Sequence, residues 1–455
     1  MKKKVTVMIL AVLLFVCGCG SKKDDEAFNM ETDWQYQMVN PHSLKDRMTT
    51  DPQGSVYFLN GYFLYKYDFE TGETAPLCSR PNCLHNQETD PEKIIKCNAF
   101  FDFKGEPGDA DIYYEDGNIY LVYLSTAAGR NVRKVGENPL RTRLVRIAAD
   151  GQSRETVRII EDKPPYVRLH RGRCYYEIYW YEEDRTEHKE IHSFSLSRPS
   201  EDKLIMEIPE DMSSVLTYFL YPYGKYLYIY LCAGYSEEAG ARVNRLYKYN
   251  PENGKLEKLH LPEQKEVQDI GGVTAFQNKL HAFLYEDAYS ESGAWTPLNL
   301  SPLYAMEMDG SSPREVMNLP AASVSTDGDY LYVSISGTAL DVSGGSNEGK
   351  TAKVWVYDKE YQLVDTFGED VYNGWQFDFA RGIGGYGYRM LTAEEDEFYR
   401  CLQVFDKSRI GTLDGKNAEF TTIAELTASP SDQSYEDFMK DGYNTSFFDG
   451  SFFDT

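Results

Sequence analysis

Seven times along this chain a turn-forming residue is followed by a short run of alternating aromatics, at intervals of 50 to 63 residues. The runs are PQGSVYFL at 52–59, EDGNIYLVYL at 115–124, HRGRCYYEIYW at 170–180, PYGKYLYIYL at 222–231, FQNKLHAFLY at 276–285, TDGDYLYVSI at 326–335 and GGYGYRML at 384–391. Their turn residues are Gly54, Gly117, Gly172, Gly224, Asn278, Gly328 and Gly385. Glycine and asparagine tolerate the positive φ that tight hairpins demand. The Tyr-x-Tyr alternation after each turn is the period of a half-buried strand. The 36 tyrosines and 14% aromatic content favour strands in the same way.

A second marker follows in most units: a strand, a polar turn, then a weaker strand. It reads LYKYDFETGETAPL at 64–77, LVRIAADGQSRETV at 144–157, LYKYNPENGKLEKL at 246–259 and LYAMEMDGSSPREV at 303–316. VWVYDKEYQLVDTF at 354–367 is the same hairpin without glycine. Each unit therefore holds four antiparallel strands, and radial repetition of such units describes an all-β, seven-bladed β-propeller over 33–427. Eight or six blades are the alternative counts, and two stacked β-sandwiches are the rival architecture. Asp33 to Met38 reads as a strand that closes the ring against the last blade. The segment 428–455, rich in Ser, Asp and Phe, reads as a tail.

The N-terminus reads as a secretory signal over 1–18. Lys2, Lys3 and Lys4 precede an apolar run from Val5 to Val16, too short to span a bilayer. Val16-Cys17-Gly18-Cys19 resembles the lipobox of bacterial lipoproteins. That resemblance implies cleavage before Cys19 and a diacylglyceryl group on its thiol, and two acyl chains suffice for stable anchoring. A plain signal peptide with Cys19 incidental is the rival. Residues 19–32 then form the lipidated cysteine and a flexible polar tether. Nothing later offers 18 consecutive apolar residues. The expected location is the extracytoplasmic face of the cell membrane. The formal net charge of −25 argues against nucleic acid as a partner, which needs a basic footprint.

Between the first two units lies LCSRPNCLHNQETDPEKIIKCNAFF, with Cys78, Cys83, His85 and Cys97. Three thiols and one imidazole are the Cys3His donor set of a structural zinc site. Export makes a disulfide the chemical rival, with two of the three cysteines paired and one left over. Cys174, Cys232 and Cys401 fall in strands of different units and read as small buried hydrophobes. Metal or disulfide, the cluster staples a long inter-blade loop over 78–97; as a metal site it would use all four donors, leaving no open position for catalysis.

The lipobox, the Tyr-rich repeats and Leu77-Cys78…Cys83-Leu84-His85…Cys97-Asn98-Ala99 together resemble a group of bacterial β-propeller lipoproteins of Gram-positive anaerobes, carrying a domain of unknown function. The similarity spans most of the chain. It implies an extracytoplasmic location and a seven- or eight-bladed propeller, and it implies no activity.

Other motifs carry less. Gly344 to Thr351 matches the P-loop pattern, but a strand follows where phosphate binding needs a helix. Asp68-Phe69-Glu70-Thr71-Gly72 reads as a hairpin turn. His188 and His192 sit four apart in a polar loop entering a strand, and read as solvated rather than ligating. No catalytic set is singled out, so an enzyme is the weaker reading. The favoured function is a non-catalytic binding, recognition or scaffold role toward an unidentified protein or glycan ligand. The alternative is a surface glycan lyase or hydrolase acting at the channel mouth. Ligand contacts are expected on the longest loops, 125–141, 233–243, 286–302 and 337–351. The first is basic, with Arg130, Arg133, Lys134 and Arg141.

Overall fold

A computed structural model of the chain describes Asn29, Asp33 and most of residues 48–426. Outside the description, besides the two termini and single positions, are 102–109, 127–139, 161–166, 182–186, 210–211, 213–214, 237–240, 263–267, 287–300, 320–322, 336–352, 368–379, 384–385, 393–399 and 413–420. The described strands form seven four-stranded antiparallel sheets, each a meander whose strands pair in chain order. The sheets span 48–76, 111–160, 167–207, 215–259, 268–319, 323–367 and 380–426.

Six of the seven marker residues take the positive φ expected of them. Gly54, Gly117, Gly172, Gly224, Asn278 and Gly328 have φ between 56° and 93°, and Gly385 lies outside the described residues. Each starts the second strand of its sheet, and the alternating aromatics behind it point into the gaps between sheets. Leu59, Leu64, Ile112 and Leu121 join the first sheet to the second. Tyr113, Val122, Leu169 and Phe194 join the second to the third. Tyr175, Ile191, Leu227 and Leu231 continue to the fourth. Tyr228, Tyr230, Val273 and Leu284 reach the fifth, and Phe276, Leu303, Leu331 and Val333 the sixth. The sixth meets the seventh through polar contacts: Lys407 with Asp329 at 2.6 Å, and the Gly411 N–H with Asp365 at 2.6 Å. Met48, Val56 and Phe58 of the first sheet pack on Ile423 of the last. Sheets packed each on the next, with the last returning to the first, make an all-β propeller rather than two sandwiches.

Tyrosine serves this packing better than phenylalanine because its hydroxyl reaches the neighbouring sheet. The Tyr113 hydroxyl donates to the Val167 carbonyl at 2.6 Å, and that of Tyr230 to the Ile270 carbonyl at 2.8 Å. A buried ring thus brings its polar end to an acceptor that would otherwise go unpaired. The glycine-free hairpin at 357–363 places Tyr361 at φ 62°, and its hydroxyl lies 2.8 Å from Nε2 of the buried His281.

The closing strand expected over 33–38 is not supported: Asp33 is helical, and 34–38 lie outside the described residues. The first sheet takes all four of its strands from 48–76. It meets the last by side-chain packing and by the Thr74 hydroxyl donating to the Ile423 carbonyl at 2.9 Å.

Antiparallel pairing gives the molecule two distinct faces. Turns between first and second strands touch one another around one face. The Gly172 N–H donates to Glu115 at 2.6 Å, His170 Nε2 lies 2.6 Å from the Gly224 carbonyl, and the Asn278 N–H donates to the Tyr223 hydroxyl at 2.9 Å. The strand ends flanking 127–139, 237–240, 287–300 and 336–352 lie at the opposite end of their sheets.

Candidate metal centre

The segment leaving the first sheet folds against the second. Leu77 N–H returns to the Leu64 carbonyl at 2.8 Å, and Cys78 follows. A turn through Pro81 and Asn82, with Asn82 at φ 60°, brings Cys83 back, its N–H 3.3 Å from the Arg80 carbonyl. His85 has φ 52° and opens one turn of 3-10 helix. Asp90 then caps the short helix Pro91–Ile94, accepting the Glu92 N–H at 3.0 Å. Cys97 sits one turn past that helix, its N–H on the Ile94 carbonyl at 2.9 Å. Beyond it the chain rejoins the first sheet, with Leu64 N–H on Ala99 O at 2.8 Å and Phe101 N–H on Tyr62 O at 2.9 Å.

This path brings together all four residues expected from the sequence. The sulfurs of Cys78, Cys83 and Cys97 and a ring nitrogen of His85 all lie within 4.8 Å of one another. Cys97 Sγ is 3.6 Å from His85 Nδ1. None of the three sulfurs is bonded to another. Cys97 is buried, and the other three are partly covered. Sulfurs around a tetrahedral ion at about 2.3 Å would lie roughly 3.5 to 4 Å apart, so the quartet has the dimensions of a metal site.

The electrostatics fit the same use. Burial raises the Cys78 thiol, but the Arg80 and Asn98 N–H groups and the Cys97 and Cys83 thiols outweigh it and hold Cys78 below the ordinary thiol range. Burial pushes Cys97 well up, and the neighbouring Cys78 and Cys83 add to the rise. Burial also lowers His85, keeping its ring neutral and its lone pair available. A site that favours the thiolate at Cys78 and disfavours it at Cys97 is one that a dication would complete.

Residues outside the motif hold the loop in place. The Gly151 carbonyl accepts both the Ser79 N–H at 3.1 Å and Asn98 Nδ2 at 2.8 Å. Arg154 donates to the Cys97 carbonyl at 3.3 Å and to that of Phe100, and lies 4.6 Å over the Phe101 ring. The Gly151 turn and Arg154 are more than fifty residues from the loop, and no local pattern points to them. The only sequence signal is the glycine of the second-sheet hairpin.

Elsewhere the outcomes differ. Cys174 and Cys232 are buried in strands as expected; the side chain of Cys401, like Cys19, Gly344 to Thr351 and the basic residues Arg130, Arg133 and Lys134, lies outside the described residues. The Asp68 turn is a hairpin whose carboxylate accepts the Glu70 and Thr71 N–H groups at 2.9 and 3.1 Å. His192 is not a solvated histidine. It lies on the strand Glu187–Ser195 between Asp202 at 2.6 Å and Glu190 at 2.8 Å, with Tyr176 donating to Asp202 at 2.7 Å. Strand pairing brings Asp202 alongside, which a sequence window cannot show. Among the described residues no helix is long and apolar enough to cross a membrane.

No family model matches the chain, and no curated protein does. Solved structures do. One, from a study of two prolyl endopeptidases and their inter-domain dynamics, is 15% identical with a TM-score of 0.50, covering 94% of this chain and 56% of that one. Prolyl oligopeptidase B from Galerina marginata is 12% identical with a TM-score of 0.49, covering 90% of this chain and 54% of that one. Porphyromonas gingivalis dipeptidyl peptidase 4 is 11% identical with a TM-score of 0.38, covering 86% and 54%. The chain spans about half the length of these proteins. At such identities the likeness is one of fold. The likeness at a TM-score of 0.50 is to a prolyl endopeptidase, and against it neither the expected non-catalytic recognition or scaffold role nor its glycan-active alternative is retained. Blade repeats are set by packing and carry no information about what the propeller serves, so the sequence pattern had no hold on that question.

Proposed function

We propose that this chain is a peptidase-related propeller that acts on polypeptide, built as one closed ring of seven blades. The observation that carries the reading is the likeness to the prolyl endopeptidase, which extends over 94% of this chain. The activity named there belongs to that protein, and what the proposal carries to this chain is action on polypeptide. Incubating the purified full chain with proline-containing peptides and with oligosaccharides of similar size, and following both by mass spectrometry, tests it. Cleavage of the peptides alone is the expected result. Unchanged peptides, or turnover of the sugars instead, would overturn it.

The Cys78, Cys83, His85 and Cys97 set is proposed to hold a structural zinc. Its support is the convergence of four donors of the right chemistry, all used, with no open position for substrate. Zinc here would close a loop of about twenty residues and order the inter-blade connection. Metal analysis of the purified chain should find one zinc per chain, reduced in His85→Ala. A metal-free protein with two fewer free thiols would mean a disulfide instead.

Anchoring by lipid on Cys19 at the extracytoplasmic face of the membrane completes the proposal. It is supported by the lipobox-like Val16-Cys17-Gly18-Cys19 and the apolar run before it. Cys19→Ala should release the protein from the membrane fraction.

A further inference from the structure

Among the described residues, the N-terminal segment meets the propeller through Asp33. Asp33 is 1% exposed, on the face formed by the turns between first and second strands. Arg171, inside the third sheet's turn, donates to its two carboxylate oxygens through Nε at 2.8 Å and Nη2 at 2.7 Å. Two-point pairing of this kind fixes direction as well as distance. His170, 2% exposed, places Nε2 3.6 Å from Asp33 and 2.6 Å from the Gly224 carbonyl in the fourth sheet's turn. The Gly172 N–H donates to Glu115 at the second sheet's turn. Three consecutive turns are thus tied together around one carboxylate that belongs to none of the sheets.

The chain surfaces immediately before this point. The Asp33 N–H donates to the Asn29 carbonyl at 2.7 Å, and the Asn29 N–H donates back to the Asp33 carboxylate at 2.8 Å. Asn29 itself is exposed. A carboxylate is not buried this deeply unless charge and hydrogen bonds hold it there, so the contact is a built one.

We infer that Asp33 fastens the lipid-bearing tether to the propeller and thereby turns the first-to-second-strand face toward the bilayer. The inference rests on lipidation at Cys19. Ten residues separate Cys19 from Asn29, a reach of at most about 35 Å. Without the clasp the next described residue is Met48, twenty-nine residues from Cys19, a reach of at most about 100 Å. The strand Tyr226–Ser236 has 11 residues, so its two ends lie roughly 35 Å apart. A tether no longer than that distance holds one face near the lipid, whereas a tether three times longer holds neither. The opposite strand ends, which carry 127–139, 237–240, 287–300 and 336–352, then point away from the membrane.

The test uses the full lipidated chain in vesicles containing an acceptor-labelled lipid. A donor dye is attached through a non-natural residue either at Lys225, in the fourth sheet's turn, or at Ser236, at the far end of the same sheet. Energy transfer from position 225 should exceed that from 236 several-fold. Asp33→Ala should bring the two to the same value while the protein stays on the vesicles. Arg171→Lys, which keeps the charge but loses the two-point contact, should give a partial loss. Equal or reversed transfer in the vesicle-bound wild type overturns the inference, as does a difference that survives Asp33→Ala. A chain that never binds vesicles, behaving like Cys19→Ala, fails at the anchor instead and takes the orientation with it.

Discussion

Gly151→Ala perturbs the metal loop and the second sheet at once, and Gly117→Ala supplies its control. Both glycines have φ 73°. A side chain in that left-handed region costs roughly 1–2 kcal/mol. Around Gly117 nothing lies within 4 Å of the added Cβ, so its substitution should cost only that amount. At Gly151 the Cβ would stand 2.9 Å from Cys78 N, 3.0 Å from Cys78 Cα and 3.0 Å from the Leu77 carbonyl carbon. These are backbone atoms that cannot rotate away, and ordinary carbon contacts need about 3.5–4.0 Å. Either the loop or the hairpin must shift, and overpacking of this kind adds roughly 1–3 kcal/mol. The loop moves with Cys78, while Ser79 and Asn98 lose register with the Gly151 carbonyl. If half of the added cost falls on the liganded state, zinc affinity drops several-fold, since about 1.4 kcal/mol is tenfold. Urea midpoints of both variants, with zinc and after chelation, read the stability terms, and competition with a chelator reads the affinity. Gly151→Ala should be the less stable by roughly 1–3 kcal/mol, with the gap narrowing once zinc is removed and the loop can relax. Equal losses in the two variants with unchanged zinc affinity would refute the reasoning.

Three further outcomes follow from the buried charges. Burial holds His281 down to about 4, so it is neutral in the folded protein. The unfolded chain binds the extra proton between pH 6.5 and 4, so the stability His281 supports is present above pH 6.5 and lost as pH falls through 4. The amount is about 3 kcal/mol, and urea midpoints of His281→Asn should show a flatter acid limb than the wild type. Glu115 runs the other way: burial first, then Asp116 and Asp33, push it up to about 7 against the Gly172 N–H and Arg171. Its contribution is complete below pH 4.5 and lost as pH rises through 7, so Glu115→Gln should match the wild type at pH 4.5 and exceed its stability at pH 8. Asp329→Ala removes a partner of the buried Lys407 between the sixth and seventh sheets. With Asp329 itself half exposed, the loss should lie between the surface and buried limits, about 1–2 kcal/mol, and hydrogen exchange should quicken first along Arg400–Asp406.

The propeller and the Cys3His quartet were legible in the sequence because both are written in short stretches of chain. A positive φ asks for glycine or asparagine at one position, and six of the seven expected positions adopt it. Strand alternation has a period of two residues, and the four Cys and His side chains that converge lie within 78–97. The chain alone thus determined the unit, its repetition and the staple between the first two units. Tertiary structure decided everything that depends on which distant backbones come together. Arg154 and Gly151 grip the loop from the next sheet. Asp202 turns His192 from an apparent surface residue into one clamped between carboxylates. Asp33 finds Arg171 138 residues away, where the sequence suggested only a closing strand. These pairings leave no periodic trace, because a single ion pair or hydrogen bond constrains one residue at each end and nothing between them. A hydrophobic repeat, by contrast, is imposed on every turn and strand that must bury it.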